Sequence, residues 1–229
     1  MLAEIEGYRA RGYRVHSAKV GANVEQDIER IRYLEENRLR SEVIFYDANR
    51  AWTRAEAVTV MNALTDLPVT FEQPCETLDD CLAVRRLTSH PIGIDERLDT
   101  LEDMTLIVSE GIAELINIKI NRVGGLTRAA RIRDLALAHG IGISVMPTGG
   151  TVLADTDAVH LAQTIPEPHR LRVWSCQDMI TVDPAPGRGA RVDDGMLSPP
   201  DEPGLGVAPD EEWLGEPVAI AGRLLRNPH

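Results

Sequence analysis

Four ionisable residues recur at nearly one interval along this 229-residue chain: Asp47, Glu72, Asp95 and Lys119, with gaps of 25, 23 and 24 residues. Each closes a short apolar run: Val43-Ile-Phe-Tyr-Asp47, Val69-Thr-Phe-Glu72, Pro91-Ile-Gly-Ile-Asp95 and Leu115-Ile-Asn-Ile-Lys119. Three carboxylates delivered to one place repel one another unless positive charge sits among them. A hard divalent cation supplies it; Mg²⁺ takes oxygen ligands and keeps positions for water or substrate oxygens. Taken singly, each acid also reads as a solvated strand end or a helix cap. Three in register point to a metal held by Asp47, Glu72 and Asp95.

Two lysines complete the pattern. Lys119 ends the fourth run, and Lys19 ends an earlier one, 28 residues before Asp47. Alternation along a strand places Ser17 and Lys19 on one face. With that face inward, Lys19 stands on one side of the carboxylates and Lys119 on the other. A lysine beside a bound cation and a second ammonium gives up its proton more readily, as a general base requires. Each lysine alone also reads as a solvated side chain.

An interval near 24 is the length of one strand, one helix and two short loops. The pattern predicts strands at 13–20, 43–47, 69–72, 91–95, 114–119, 141–146 and near 171–175. Helices are expected at 2–11, 24–37, 54–64, 77–87, 100–110, 127–139 and 151–164. Such alternation implies a parallel sheet with right-handed crossovers. Charged residues at several consecutive strand ends favour a closed barrel, which gathers every strand end at one face, over an open sheet with one switch point. A complete barrel has eight strands and only seven are counted, so the first is expected upstream. From about residue 183 the chain turns Pro- and Gly-rich. Residues 1–182 are therefore read as the barrel, and 183–229 as a C-terminal meander packing on the barrel or on an absent cap.

Composition narrows the partners. At 43% hydrophobic the chain can fill one α/β barrel core. It has no run of 18 apolar residues and no secretory signal, so no membrane partner is expected. A net charge of −12 and 4% aromatics disfavour nucleic acid. Cys75, Cys81 and Cys176 lack metal-type spacing and read as free thiols of a reducing cytoplasm.

The ordered motifs resemble the enolase superfamily, in particular its muconate-lactonizing-enzyme-like subgroup. They are Ser17-Ala-Lys19, Asp47-Ala-Asn49, Glu72-Gln-Pro74, Asp95-Glu96, Asn117-Ile-Lys119, Gly124-Gly-Leu-Thr127 and the tail Asp194–Gly206. The resemblance implies a modified TIM-like (β/α)7β barrel, here incomplete (strands 2 to 8). It implies one Mg²⁺ on Asp47, Glu72 and Asp95, with Lys19 and Lys119 as acid and base on opposite faces of a small carboxylate substrate. It also implies a homo-oligomer when full length. Two departures stand out: Ser17 replaces the first lysine of Lys-x-Lys, and the family's N-terminal capping domain has no counterpart here.

Finer details resemble the cis-3-hydroxy-L-proline dehydratase group: Ser17-Ala-Lys19, Glu72-Gln-Pro-Cys75, Pro147-Thr-Gly-Gly150 and Trp174-Ser-Cys-Gln-Asp178. Substrate-binding candidates are Ser17, Asn49, Glu96, Thr148, Trp174 and Asp178. Ser17 also reads as a spacer, Trp174 as a rim or core aromatic, and Asp178 as a loop acid. Gly149 and Gly150 suit either an anion or a plain turn. Cys75 and Cys176 read as packing residues, since no histidine is placed to activate them. The implied reaction is dehydration of a hydroxyproline. A racemase or epimerase of an amino acid or proline derivative needs the same two lysines. An inactive truncated fragment is the reading from another class.

Overall fold

The computed structural model describes residues 1–181 and 183–214, apart from the side chains of Asp178 and Trp213. Seven strands, β1 (Val15–Lys19), β2 (Val43–Asp47), β3 (Thr70–Glu72), β4 (Ile92–Ile94), β5 (Leu115–Lys119), β6 (Gly142–Met146) and β7 (Arg170–Val173), form one sheet in chain order. Every neighbouring pair is parallel. The helices are α1 (Leu2–Ala10), α2 (Val24–Asn37), α3 (Arg54–Asn62), α4 (Leu78–Arg85), α5 (Leu101–Glu110), α6 (Leu126–Ala138) and α7 (Val152–Gln163). The expected alternation is present throughout. Most element ends lie within about two residues of expectation: β1 begins at Val15 because the Tyr13 amide turns back to the Tyr8 carbonyl, β4 narrows to Ile92–Ile94, α4 to Leu78–Arg85, and β7 stops at Val173.

The sheet is curled into a nearly closed barrel. Arg172 on β7 reaches Glu72 on β3 and lies over the Phe45 ring on β2. Outward residues such as Ile44, Tyr46, Phe71, Ile116, Ile118 and Val145 pack against the helices as the main core. Alternation sends the intervening residues inward. Leu115 fills the barrel below the polar end so tightly that a Cβ on Gly93 would lie 2.4 Å from it. β1 and β7 are not paired with each other among the described residues.

Threonines start the helices that follow β2, β3, β4 and β6. Thr53, Thr77, Thr100 and Thr151 each accept a backbone N–H of the first helical turn, satisfying a donor that the helix leaves free. These caps lie in the strand-to-helix loops, so the mouth of the barrel is built from short, well-determined connections.

Over its described residues, 183–214, the tail is less irregular than its proline content suggests; 215–229 lie outside the described residues. It contains a hairpin, β8 (Arg191–Asp193) with β9 (Met196–Ser198), and a short helix α8 (Glu211–Leu214). Ala190 N–H donates to Thr156 Oγ1 (2.9 Å), and His160 on α7 is 3.1 Å from the Leu205 carbonyl. The hairpin turn sits on the α1–β1 turn: a Cβ on Gly12 would meet Asp194 at 2.2 Å. The tail thus touches elements on both sides of the open seam between β7 and β1. Among the described residues no helix is long and apolar enough to cross a membrane.

Candidate active site

Asp47 and Glu72 end adjacent strands and face each other in register; Asp95 follows β4 directly. All three are 2% exposed. Each is met by its own cation. Lys19 Nζ donates to Asp47 Oδ2 at 2.5 Å, and Lys119 Nζ to Asp95 Oδ2 at 2.7 Å. Arg122 donates to Asp95 Oδ1 at 2.6 Å, and Arg172 donates to Glu72 from inside the barrel. Lys19 and Lys119 therefore approach the ring from β1 and β5, four strand intervals apart. In an eight-position barrel that is half the circumference.

Burial raises the Glu72 carboxyl to about 7, and repulsion from Asp47 and Asp95 adds to it against the pull of Arg172. Asp47 and Asp95 thus lie close enough for their charges to act on Glu72. Their chemistry fits a hard cation: the donors are all carboxylate oxygens, held at the ends of strands. Nearby, fully buried Asn117 keeps both side-chain polar atoms without a partner in the structure. As the side chains stand, no three His, Cys, Asp or Glu among the described residues are gathered closely enough to hold a metal. The carboxylates are turned to separate cations, the arrangement expected of acids that repel.

One pH dependence follows. A carboxyl raised to about 7 must lose its proton to ligate a cation. Mg²⁺ affinity, followed by calorimetry, is expected to be weak below about pH 6 and to climb through about 7. In the unliganded protein the sign is opposite. Glu72 holds its proton more tightly folded than unfolded, so its contribution to stability is present at low pH and falls as pH rises from its unfolded value to about 7.

Residues 1–213 match the family model for enolase C-terminal domain-like proteins. The chain belongs to the enolase C-terminal domain-like family. It is 38% identical over 219 residues to cis-3-hydroxy-L-proline dehydratase of Roseibium aggregatum, covering 96% of this chain and 59% of that protein. L-Ala-D/L-Glu epimerase of Bacillus subtilis is 29% identical over 214 residues, covering 90% of the chain and 58% of the epimerase. A crystal structure from Silicibacter pomeroyi, of mandelate racemase/muconate lactonizing enzyme type, superimposes with a TM-score of 0.93 at 57% identity, over 95% of this chain and 60% of the other. An enolase superfamily member from Roseovarius nubinhibens, solved with magnesium, gives 0.92 at 46% identity over 95% and 59%. The chain thus spans about 60% of the length of the relatives it matches.

Around this enolase-family mouth the substrate-binding candidates divide. Asn49 Nδ2 donates to Glu96 Oε1 at 3.0 Å, and Asn49 N–H to Asp47 Oδ1 at 2.9 Å. The two candidates are thus joined beside the ring, and Glu96 keeps its second oxygen buried without a partner in the structure. Ser17 is half-buried on β1, in register with Phe45. Trp174 is half-buried, extends the β7 ladder by donating to the Val145 carbonyl (3.0 Å), and shares the inward phase of Arg172. Thr148 is exposed, its hydroxyl donating to Asn121 Oδ1 at 2.6 Å. The Asp178 side chain lies outside the described residues. Gly149 and Gly150 are exposed; burial, with the Asp155 charge adding to it, pushes the Cys176 thiol up, and all three cysteines are buried.

Three residues given no role by the sequence pattern take part in the site. Gln73, fully buried just past Glu72, accepts the Asp95 N–H (3.0 Å) and donates to the Cys75 carbonyl (3.0 Å), tying two strand ends together. Arg122 bridges Asp95 and Asp99. Arg172 neutralises Glu72 from within. Its signal was a basic residue two positions before Trp174, hence on the same inward face.

Proposed function

We propose that this chain carries the barrel of a Mg²⁺-dependent enzyme that removes the proton α to a carboxylate and dehydrates a hydroxyproline of the cis-3-hydroxy-L-proline kind. The observation that carries the reading is the placement of Lys19 and Lys119 on opposed strands, flanking three buried carboxylates. Similarity to the Roseibium dehydratase supports the substrate class.

Asp47, Glu72 and Asp95 would hold the metal, which when bound polarises the substrate carboxylate and stabilises the charge left as the α-proton departs. The lysines divide the proton work. In a ring whose 3-hydroxyl is cis to the carboxylate, the α-hydrogen lies on the face opposite the hydroxyl. One lysine takes that proton as the Cα–H bond breaks. The other protonates the hydroxyl on the opposite face, and the C–O bond breaks to release water. The product is an enamine that tautomerises to a cyclic imine carboxylate. Trp174 faces the mouth, where it can pack on the ring and its cationic nitrogen.

A second reading is racemisation or epimerisation, favoured by similarity to the Bacillus epimerase. There one lysine removes the α-proton and the other returns a proton from the opposite face. Incubation with proline derivatives in D₂O, followed by NMR, separates the two. Loss of the 3-hydroxyl supports dehydration. Deuterium at the α-carbon with inversion and a retained hydroxyl supports epimerisation. A chain that binds Mg²⁺ yet leaves every α-proton in place is the barrel of an enzyme inactive without further structure, and refutes turnover by these residues alone.

A further inference from the structure

We propose that Arg172 sets the standing charge of the carboxylate ring, matching it to a divalent rather than a trivalent cation. The inference rests on the reading of Asp47, Glu72 and Asp95 as metal ligands. Three ionised acids carry three negative charges, and the cations around them are not equivalent.

Lys19 is attached from the mouth and its side chain is 59% exposed. Water screens that pair, and the ammonium can swing to substrate. Lys119 also approaches from the β5 rim, and both lysines occupy carboxylate oxygens that a metal would claim. Arg122 is shared between Asp95 and Asp99, so its charge is matched outside the ring.

Arg172 is different. Its side chain is 6% exposed and lies beneath the ring, within the barrel. Its guanidinium covers the Phe45 ring at 4.1 Å, Nε reaches Ser144 Oγ at 3.3 Å, and one arm holds Glu72. Nη1 is buried without a partner in the structure. An arginine keeps its proton at any working pH. Stacked, bonded and enclosed, it has no route to solvent comparable to that of the lysines. Three negative charges and one fixed positive charge leave two for the incoming ion.

Charge matching has a signature that positioning lacks. Repulsion from Arg172 acts on each unit of charge of the bound ion, so a trivalent ion suffers it once more than a divalent one. One unit charge a few ångströms away, at the effective dielectric of protein sites, changes an equilibrium constant by roughly tenfold or more. Loss of Arg172 also leaves Glu72 harder to ionise, but either cation meets that handicap and it cancels in their ratio.

The test compares Mg²⁺ and Tb³⁺ affinities of the 229-residue chain with those of Arg172→Met and Arg172→Lys, by calorimetry and terbium luminescence competition. The Tb³⁺/Mg²⁺ affinity ratio is expected to rise about tenfold or more in Arg172→Met and to stay near the original value in Arg172→Lys. A merely structural Arg172 would lower both affinities together; an unchanged ratio in Arg172→Met overturns the proposal. Arg172→Gln serves as the neutral variant if circular dichroism shows Arg172→Met unfolded. Failure of the metal reading looks different: Mg²⁺ binding by the unaltered chain would be absent, or would persist at full strength in Asp47→Asn and Asp95→Asn.

Discussion

Lys119→Ala is expected to reduce α-proton exchange by about 10²–10⁴-fold, the usual contribution of a positioned general acid or base. The loss should fall on kcat. Lys119 stands inside the mouth with its ammonium on Asp95, and Arg122 remains on the same carboxylate when the lysine is removed. Arg122 therefore still orients the Asp95 carboxylate, and Mg²⁺ binding should survive. Measuring deuterium exchange at the α-carbon beside calorimetric Mg²⁺ affinity separates lost proton transfer from a damaged site. Exchange at the original rate would remove Lys119 from the reaction. Lys19→Ala is the natural comparison: with the second lysine acting only on the far face, exchange is expected to be spared there while loss of the hydroxyl is blocked.

Asp95→Asn should have the other large effect. The Asp95 carboxylate accepts from Lys119 and Arg122, its carbonyl accepts from Arg122 as well, and its amide donates to Gln73 Oε1. Replacing one carboxylate oxygen with an amide nitrogen removes a charge from the ligand set and turns a donor toward the cation site. Loss of a supporting residue near a metal typically costs 10–100-fold in affinity. Loss of a ligand should cost at least about 100-fold on that scale, with turnover falling in step. Treatment with EDTA should abolish turnover of the unaltered protein, and added Mg²⁺ should restore it. Activity indifferent to EDTA would defeat the metal reading.

Much of this site is legible from the chain because strand ends are. A strand of alternating faces, closed by a charge and repeated every 24 residues or so, brings successive charges to one rim whatever the intervening helices contain. The threonines that open four of the helices are similarly local, each serving a donor two or three residues away. The tail was less legible. Its prolines and glycines exclude long regular elements but do not exclude a three-residue hairpin pair, and that pair is stabilised by contact with Gly12, far away in sequence.

The sequence by itself determined the alternation of strand and helix, the acids and lysines at the strand ends, and the family to which those motifs belong. Only the tertiary structure decided which cation meets which acid. Glu72 and Arg172 are 100 residues apart and joined only because the sheet curls until β7 faces β3. Gln73 ties Glu72's strand to Asp95 through a hydrogen bond that no periodicity announces. The reason is physical: period and capping are set by neighbours along the chain, whereas the partner of a buried charge is set by closure of the barrel, which removes water and leaves each charge to the nearest group of opposite sign.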